Sequence, residues 1–488
     1  MVSIFLREQK RYTKRELIEV FECSEEMGGR LIRRLKAYSI LKTVKATEKQ
    51  KDLADLLNED IEITDVVAGE NEYFYVFTYV GITIVEERVL KCYPKYILNT
   101  TEPRNELKQV LKVLEKYNDK EQIIRMYNEG NDSGSINMLA IMLFLIQDYY
   151  EYGVYNSTQD IVEVNGVGDI LWGKTINETF TLISNNRPYY PELFTRKRVN
   201  NEFDFFKRLH ECILSKCSKQ LKETELLDLF DILGVDLSDE KIEDFGEIDY
   251  ILYRIQQELN IQFNTRKQRL LKTLYAYIDN SKSEDIDSFS MFGTNSFNLV
   301  WEEICAEVMD NQLKKPLKAL KLPVELSAEY QSEALLSSLI EKPRWYGYGA
   351  EQAFEFVKEA DRTLIPDLVS IYKKGNNYQF IIFDAKYYNI QLEEDKILQG
   401  QPGIESITKQ YLYQLAYQKF ITAHKIDKVY NCFLLPTEGD EIVDKGYVSL
   451  RILEEFGLEK IKLYLLPVVE MYNNYLENKK IEISLLKL

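Results

Sequence analysis

The pattern of apolar and polar residues predicts two short helices near the start of the chain. A capping box begins at Thr13, and Ser24 can cap a second helix. The Gly28-Gly29 pair weakens that second helix by about 1 kcal/mol per glycine relative to alanine. A run of β-type residues follows at 40–44. This order of elements indicates a small winged helix-turn-helix module.

The middle of the chain alternates between β-type and helical patterns. Strands are predicted at 73–97 and 161–183, where β-branched and aromatic residues alternate with polar ones. Helices are predicted at 103–127, 138–150 and 202–280. Polar stretches predict a loop at 128–135 and a domain boundary at 281–288.

The last third mixes helices with long strands, which is typical of an α/β domain. Helices are predicted at 297–309 and 407–420, with two strands joined by a turn at 362–388. We therefore predict a multidomain α+β protein of four segments. They are a basic winged-helix head (1–52), a β-rich middle domain (53–200), a helical connector (201–288) and a C-terminal α/β domain (289–488).

Charge is distributed unevenly along the chain. The 488 residues carry a net charge of −17, yet residues 1–51 hold 13 Lys and Arg against 7 Asp and Glu. A basic head on an acidic body can contact DNA through a local patch. Arg30, Arg33 and Lys36 lie opposite the apolar side of the second helix, where a recognition helix meets phosphates. The alternatives are a pair of helices that is merely solvated, and a winged-helix module that binds protein instead of DNA.

Cysteine and histidine usage excludes several classes of site. The six cysteines form no CxxC pair, so we expect a reducing, cytoplasmic compartment and no disulfide framework. Two histidines, His210 and His424, are too few for a His-rich zinc site or for HNH-type nuclease chemistry, and we expect both to be structural. The most apolar window is about half a membrane span, so no membrane partner is expected.

The sharpest candidate chemistry lies on the two strands at 362–388. Pro366-Asp367 opens the first strand, and Asp384-Ala385-Lys386 ends the second. Alternation places Asp384 and Lys386 on one face, and antiparallel pairing brings Asp367 alongside them. Two carboxylates suit Mg²⁺, and a lysine can orient or deprotonate the water that attacks a phosphodiester. This spacing is the PD-(D/E)XK nuclease pattern. The alternative is a salt bridge at a strand end.

Two helices flank this motif. The helix at 297–309 carries Glu302 and Glu303, either of which could add a third acid and metal ligand, and the residues alone leave the choice open. The helix at 407–420 offers Lys409, Gln410 and Tyr413, which could contact DNA backbone or water near the scissile phosphate. Ordinary helix packing is the alternative for these three side chains.

Residues Gly168–Thr175 literally match the phosphate-binding P-loop pattern GxxxxGKT. A P-loop needs small residues that expose backbone N–H groups, whereas this one contains Ile-Leu-Trp. It should also open a helix, yet the following TINETFTLI has β-type alternation. A P-loop NTPase therefore stays a secondary hypothesis.

With these residues identified, the chain resembles the LlaJI-type restriction endonucleases, which are similar to McrC, the nuclease subunit of modification-dependent restriction. The resemblance is carried by residues 79–97, 164–176, 292–309 and 365–388. It implies a Mg²⁺-dependent restriction endonuclease of type II or McrBC-like organisation, acting on double-stranded DNA for antiviral defence.

The resemblance also assigns roles. It implies that Asp367, Asp384 and Lys386 are catalytic, favours Glu302 as the helix acid, and makes the GKT match accidental. It implies a partner, an McrB-like AAA+ GTPase, which the β-rich region 73–200 would contact. Double-strand cutting would take a dimer or paired complex. A non-catalytic DNA-binding regulator with a nuclease-like core is the alternative function.

Overall fold

The computed structural model describes residues 2–45, 73–86, 88–121, 138–156, 158–200, 204–280, 289–348 and 355–488. The chain divides into two compact units, a terminal unit made of Val2–Ile124 with Phe292–Leu488, and a central unit, Arg125–Met291. Helices and several separate sheets confirm the predicted mixed α+β, multidomain class. Within the described residues, no helix is both long enough and apolar enough to cross a membrane.

Helices and strands alternate along the described chain. The helices are α1 (Lys14–Val20), α2 (Glu25–Ala37), α3 (Arg104–Glu121), α4 (Met138–Tyr152), α5 (Trp172–Glu178), α6 (Phe205–Glu223), α7 (Leu226–Leu229), α8 (Ile248–Ile261), α9 (Thr265–Asn280), α10 (Phe297–Val308), α11 (Ile404–Ala423), α12 (Arg451–Glu454) and α13 (Val468–Leu476). The strands are β1 (Val2–Arg7), β2 (Arg11–Tyr12), β3 (Leu41–Lys45), β4 (Tyr73–Phe77), β5 (Val80–Val85), β6 (Arg88–Tyr93), β7 (Thr158–Val164), β8 (Asp169–Ile170), β9 (Leu182–Ser184), β10 (Arg187–Tyr189), β11 (Phe194–Asn200), β12 (Ser290–Thr294), β13 (Arg344–Tyr348), β14 (Glu355–Glu359), β15 (Leu368–Lys374), β16 (Asn377–Ala385), β17 (Lys428–Thr437), β18 (Val443–Val448) and β19 (Ile461–Pro467). The predicted loop at 128–135 and the predicted boundary at 281–288 lie outside the described residues.

The two predicted helices and the predicted strand of the head form, but their sheet also takes in β4 from outside the predicted head. β2, β4 and β3 pair antiparallel in that order, and α1 and α2 lie between β2 and β3 in the chain. The predicted capping box forms, because the backbone N–H of Glu16 donates to Thr13 Oγ1 at 3.2 Å and Thr13 N–H donates to the Glu16 carboxylate at 2.7 Å. Gly28 sits against α1, since a Cβ there would lie 2.7 Å from Ile18 Cγ1. The close approach of the two helices therefore explains one glycine of the pair.

The first strand, β1, is not among the elements predicted from the sequence. It pairs in parallel with β6 from Val2 opposite Arg88 to Arg7 opposite Tyr93, within a four-stranded sheet of order β1-β6-β5-β12. Six residues carry too little periodicity to identify a strand whose partner lies so far along the chain. The start of the chain therefore belongs to this sheet and not to the head alone.

The second large sheet of the terminal unit has the order β15-β16-β17-β19-β18. β16, β17 and β19 run parallel, whereas β15 and β18 pair antiparallel at the two edges. β16 is buried along most of its length, which explains its almost entirely apolar sequence. α10 and α11 both pack against β16, and α13 packs on β19, α3 and α10. Two helices from separate parts of the chain, α10 and α11, thus pack on the strand that carries the Asp-Ala-Lys motif.

The central unit is mainly helical. α4 packs on α6 and α9, and α8 packs on α9. Arg266 on α9 donates to both carboxylate oxygens of the buried Asp148 on α4, at 3.1 and 2.7 Å. His210 is buried on α6, where its Nδ1 accepts a hydrogen bond from Tyr155 N–H at 3.0 Å. Burial and the nearby Arg266 lower the pKa of His210 to about 3, which fits its predicted structural role.

One predicted segment is wrong. The alternation after Lys174 predicts strand, but residues Trp172–Glu178 form the helix α5. Its buried residue is Thr175, whose Oγ1 accepts a hydrogen bond from Phe194 N–H on β11 at 3.0 Å. Local β propensity is a weak signal when a tertiary contact of this kind competes with it. The objection that no helix follows the GKT match therefore fails.

Candidate active site

The antiparallel pairing of β15 and β16 brings the predicted motif together. Leu368 lies opposite Phe383, so Asp367, immediately before β15, lies opposite Asp384 near the end of β16. The Oδ2 atom of Asp367 accepts a hydrogen bond from Ala385 N–H at 2.8 Å. Asp384 is buried, with 4% of its surface exposed. The side chains of Asp367 and Asp384 thus meet at one edge of the sheet, and together they form the carboxylate pair.

Lys386 joins the carboxylate pair from the same face of β16. Its Nζ atom lies 2.9 Å from Asp384 Oδ2, as expected for residues two positions apart on a strand. Its backbone N–H donates to Leu434 O at 2.8 Å, which continues the parallel pairing of β16 with β17 beyond Ala385. The backbone of β17 therefore holds the lysine beside the carboxylate pair.

The two neighbouring glutamates of α10 act electrostatically on different groups. The Glu302 carboxylate contributes to the raised pKa of both Asp367 and Tyr413, while Glu303 contributes to that of Tyr475 on α13. Trp301 fixes the helix, because its indole Nε1–H donates to Leu434 O at 3.1 Å, the same carbonyl that accepts from Lys386. The electrostatic contribution to Asp367 favours Glu302, and its role as the helix acid stays a prediction.

The charges of the cluster strongly perturb one another. Burial, the Asp384 carboxylate and the Glu302 carboxylate raise the pKa of Asp367 well above its usual range, and Lys386 opposes this shift. Burial favours the neutral form of Lys386, but the neighbouring carboxylates outweigh it and raise the pKa of the lysine. The resting site therefore holds an ammonium group beside acids that repel one another, an arrangement typical of functional sites.

The donor set fits Mg²⁺. Mg²⁺ prefers oxygen ligands and commonly uses one or two carboxylates while keeping several waters. Asp367 and Asp384 supply the two carboxylates, and Glu302 is a further acid that acts electrostatically on Asp367. Across the described residues, no group of three or more His, Cys, Asp or Glu side chains is placed so that it could hold a metal ion together. Water or a phosphate oxygen would therefore have to complete the coordination.

The predicted residues of α11 fall into two groups. Gln410 is fully buried, and its Nε2 donates to Ile382 O of β16 at 2.8 Å, so it supports the strand backbone. Tyr413 lies within electrostatic reach of the carboxylate pair, because Asp384, Asp367 and Glu302 all contribute to its raised pKa, after burial. Lys409 is half exposed and pairs with Glu405 at 2.5 Å, apart from the cluster.

The basic residues predicted to bind DNA are not equivalent. Arg30 Nε lies 3.1 Å from Glu86 Oε1, and Arg34 lies 3.9 Å from the same atom, so Glu86 partly neutralises this end of the α2 face. Arg33 is exposed, and Lys36 is half-buried. Arg30 is exposed as well, so what sets Arg33 apart is that, within the described residues, Glu86 pairs with Arg30 and Arg34 and not with Arg33.

The GKT match has a structural explanation in the central unit. Gly168 has a φ of 140°, and a Cβ there would lie 2.3 Å from Arg196 O, so the close approach to β11 requires this glycine. Lys174 Nζ lies 4.7 Å from the centre of the Phe194 ring and 3.9 Å from Glu178. Thr175 accepts from Phe194 N–H. Contacts with β11 and within α5 thus account for Gly168, Lys174 and Thr175, whereas a Cβ at Gly173 would meet nothing within 4 Å.

Sequence reasoning missed a network that adjoins Lys386. The hydroxyl of Tyr387 donates to Glu8 Oε2 at 2.6 Å, and Lys95 N–H donates to the same oxygen at 3.2 Å. Lys95 Nζ lies 4.6 Å from the centre of the Tyr387 ring. No local pattern identifies this group, because its members come from three separate parts of the chain. The aromatic pair after the Asp-Ala-Lys motif is the single visible hint.

Comparison with known proteins agrees with the predicted resemblance. The family model described as LlaJI restriction endonuclease matches residues 79–461. The chain belongs to the LlaJI restriction endonuclease family. This LlaJI family chain is 27% identical over 411 residues to the protein described as type II restriction enzyme BsuMI component YdjA, from Bacillus subtilis (strain 168). The match covers 83% of the chain and 81% of that relative.

Two solved assemblies from Thermococcus gammatolerans also resemble this LlaJI family member. One is a half-complex of McrB AAA+ hexamers with bound McrC, with a TM-score of 0.38, 12% identity and coverage of 98% of this chain and 99% of that chain. The other is the McrBC complex, with a TM-score of 0.25 and 12% identity. That match covers 62% of this chain and 86% of the other chain. Neither likeness is strong enough to define the fold of the LlaJI family chain.

Replacing Asp367 by asparagine should stabilise the protein when no divalent metal is present. The amide removes a carboxylate that burial, Asp384 and Glu302 disfavour, and its oxygen can still accept from Ala385 N–H. We expect the melting temperature of Asp367→Asn in EDTA at about pH 8 to rise by a few degrees, since ~1 kcal/mol shifts a domain of 150–250 residues by roughly 2–4 °C.

The sign of the pH dependence provides a control. Because the pKa of Asp367 is raised by folding, ionising it destabilises the folded chain at high pH, and this penalty disappears as the carboxyl takes up a proton. The advantage of Asp367→Asn should therefore shrink as the pH falls. The exposed Asp361→Asn is the matched control and should change little. A melting temperature that falls for Asp367→Asn at high pH would contradict this account of the site.

Proposed function

We propose that this member of the LlaJI family is a Mg²⁺-dependent DNA endonuclease of a restriction system, with a PD-(D/E)XK site in its C-terminal segment. The observation that carries the proposal is the convergence of Asp367, Asp384 and Lys386 at one sheet edge, with Glu302 acting on them. Family membership supports nuclease activity. The organisation is type II or McrBC-like, and double-strand cutting would use two such sites in a dimer or paired complex.

The site suggests a division of labour among its residues. Asp367 and Asp384 would hold the metal, which when bound would offset the negative charge that develops on the phosphate, and Glu302 would act on Asp367 electrostatically. Lys386 remains an ammonium group in the resting site, so it is suited to donate hydrogen bonds to the phosphate or to the attacking water. Ala385 N–H keeps Asp367 oriented, and Gln410 keeps the backbone of β16 in place.

Lys386→Ala should lower metal-dependent DNA cleavage by at least about 100-fold, because it removes a charged donor from the reacting centre. DNA binding should remain largely intact. The measurement is cleavage of long methylated and unmethylated DNA with Mg²⁺, with and without a GTPase partner, beside a separate binding assay. Lys419→Ala is the matched control, since Lys419 is exposed and pairs with Glu329. Cleavage that survives Lys386→Ala would show that the site is misassigned.

Glu302→Gln and Glu303→Gln form a matched pair within the same assay. The first should lose most activity and the second should keep most of it, because Glu302 alone of the two acts on Asp367. Equal losses would contradict the assigned role of Glu302. If the wild type binds DNA but cuts none under any condition, the non-catalytic regulator becomes the better description.

The head is proposed to be a winged helix-turn-helix that binds DNA through α2. The order β2, α1, α2, β3, β4 supports this, as does the exposure of Arg33. Arg33→Ala should reduce the slope of log K against log salt by about one unit, the loss of roughly one phosphate contact. Arg30→Ala, whose guanidinium already pairs with Glu86, should change the slope less. An unchanged slope in both variants would indicate that the head binds protein.

The chain is further proposed to work with an McrB-like AAA+ GTPase. Its resemblance to McrC supports this, and the curated relative is described as a component of a larger enzyme. The β-rich region 73–200 is the proposed contact. We expect co-purification with an AAA+ GTPase encoded beside this protein, together with stimulated GTP hydrolysis. Failure to form a complex both with and without GTP would count against the partnership.

A further inference from the structure

A crevice of about 710 Å³ opens in the terminal unit, and Tyr388, two residues after Lys386, is in its wall. It is lined by residues at or just after the carboxyl ends of β1, β6, β16 and β17. β1 and β6 form the parallel pair of one sheet, and β16 and β17 form a parallel pair of the other. Crevices at the carboxyl ends of parallel strands are frequent ligand sites, and this volume lies within the usual range for small ligands.

Two consecutive residues of this crevice each have an unpaired polar atom. Glu8 is 1% exposed, and its Oε2 accepts from Tyr387 and Lys95, but its Oε1 has no hydrogen-bond partner among the described residues. Gln9 Oε1 accepts from Lys95 Nζ at 3.0 Å, whereas its Nε2 is buried and likewise lacks a partner within the described chain. Such buried groups are costly to leave unpaired. A ligand that offers a donor beside an acceptor would satisfy both atoms.

We propose that this crevice receives a nucleobase of the DNA, unstacked from the duplex next to the scissile phosphate. The inference rests on the proposed endonuclease function and adds a recognition site to it. A carboxylate and an amide are side chains that read base edges, because a base edge presents donors and acceptors side by side. Glu8 and Gln9 supply this pair, and Tyr388 supplies an aromatic ring on the crevice wall.

The position of the crevice links it to the reacting centre. Tyr388, in its wall, lies two residues beyond Lys386, a chain distance of roughly 7 Å. A nucleotide whose phosphate lies near Lys386 can therefore place its base in the crevice. Unstacked bases commonly insert beside aromatic side chains in proteins that act on nucleic acids.

Charge favours a base over a phosphate as the occupant. Glu8, Glu393 and Glu438 line the crevice together with Arg7, Lys95 and Lys396, so the formal charges cancel. Lys95 already donates to Gln9, and Lys396 lies 3.9 Å from Glu393. The crevice therefore lacks the excess positive charge that would draw in a phosphate. A neutral ring with polar edges suits it better.

Binding of single nucleotides to the full-length protein tests the proposal without a known recognition sequence. The probes are the four deoxynucleoside 5′-monophosphates, and the reference is 2-deoxyribose 5-phosphate, with binding followed by saturation-transfer NMR and calorimetry. At least one nucleotide should bind about tenfold more tightly than the sugar phosphate. Equal binding of all five compounds would overturn base recognition.

Two variants localise the binding. Gln9→Met is nearly isosteric but removes the amide, and it should weaken nucleotide binding about tenfold. Glu8→Gln replaces an acceptor by a donor and should change which base binds best. Gln418→Leu, on the exposed side of α11, is the matched control and should bind like the wild type. Unchanged binding in both crevice variants would overturn the proposal.

The result of the nucleotide-binding experiment can be distinguished from the result of the DNA-cleavage assay. Lys386→Ala should keep nucleotide binding while losing cleavage, because the lysine does not line the crevice. Cleavage without nucleotide binding would retain the endonuclease and reject the base site. Nucleotide binding without cleavage would retain the base site and reject the endonuclease.

Discussion

The candidate site depends on the register of two antiparallel strands. Because Leu368 pairs with Phe383, the residue before β15 meets the penultimate residue of β16, and two carboxylates are forced together. The hydrogen bond from Ala385 N–H and the ammonium group of Lys386 offset their repulsion. A register shift by one residue would turn one acid to the other face of the sheet. The β15–β16 ladder therefore decides whether the site exists.

A single backbone carbonyl accepts hydrogen bonds from two groups next to the β15–β16 ladder. Leu434 O of β17 accepts from Lys386 N–H and from the Trp301 indole, so one point of the central strand positions both the lysine and the helix that carries Glu302. Leu434 is buried in the core, which restricts its movement. The packing of β17 in the core thus helps to fix the positions of Lys386 and of the helix that carries Glu302.

The terminal unit joins segments from both ends of the chain. The hydroxyls of Tyr96 and Tyr472 lie 2.6 Å apart, and Leu98 N–H donates to Glu438 at 2.8 Å. Together with the contact of Tyr387 with Glu8, these bonds fasten the β1-β6-β5-β12 sheet to the C-terminal sheet. The N-terminal part of the chain consequently forms part of the wall around the candidate site.

Local patterns in the sequence determined much of this protein. The capping box at Thr13, the turn between β15 and β16, and the placement of Asp384 and Lys386 on one face all follow from spacing over a few residues. Tertiary structure alone decided the pairing of β1 with β6, the helix at Trp172–Glu178, and the contact of Glu8 with Tyr387. The reason is physical, since periodicity fixes which face a side chain occupies, whereas the packing of distant segments fixes what that face meets.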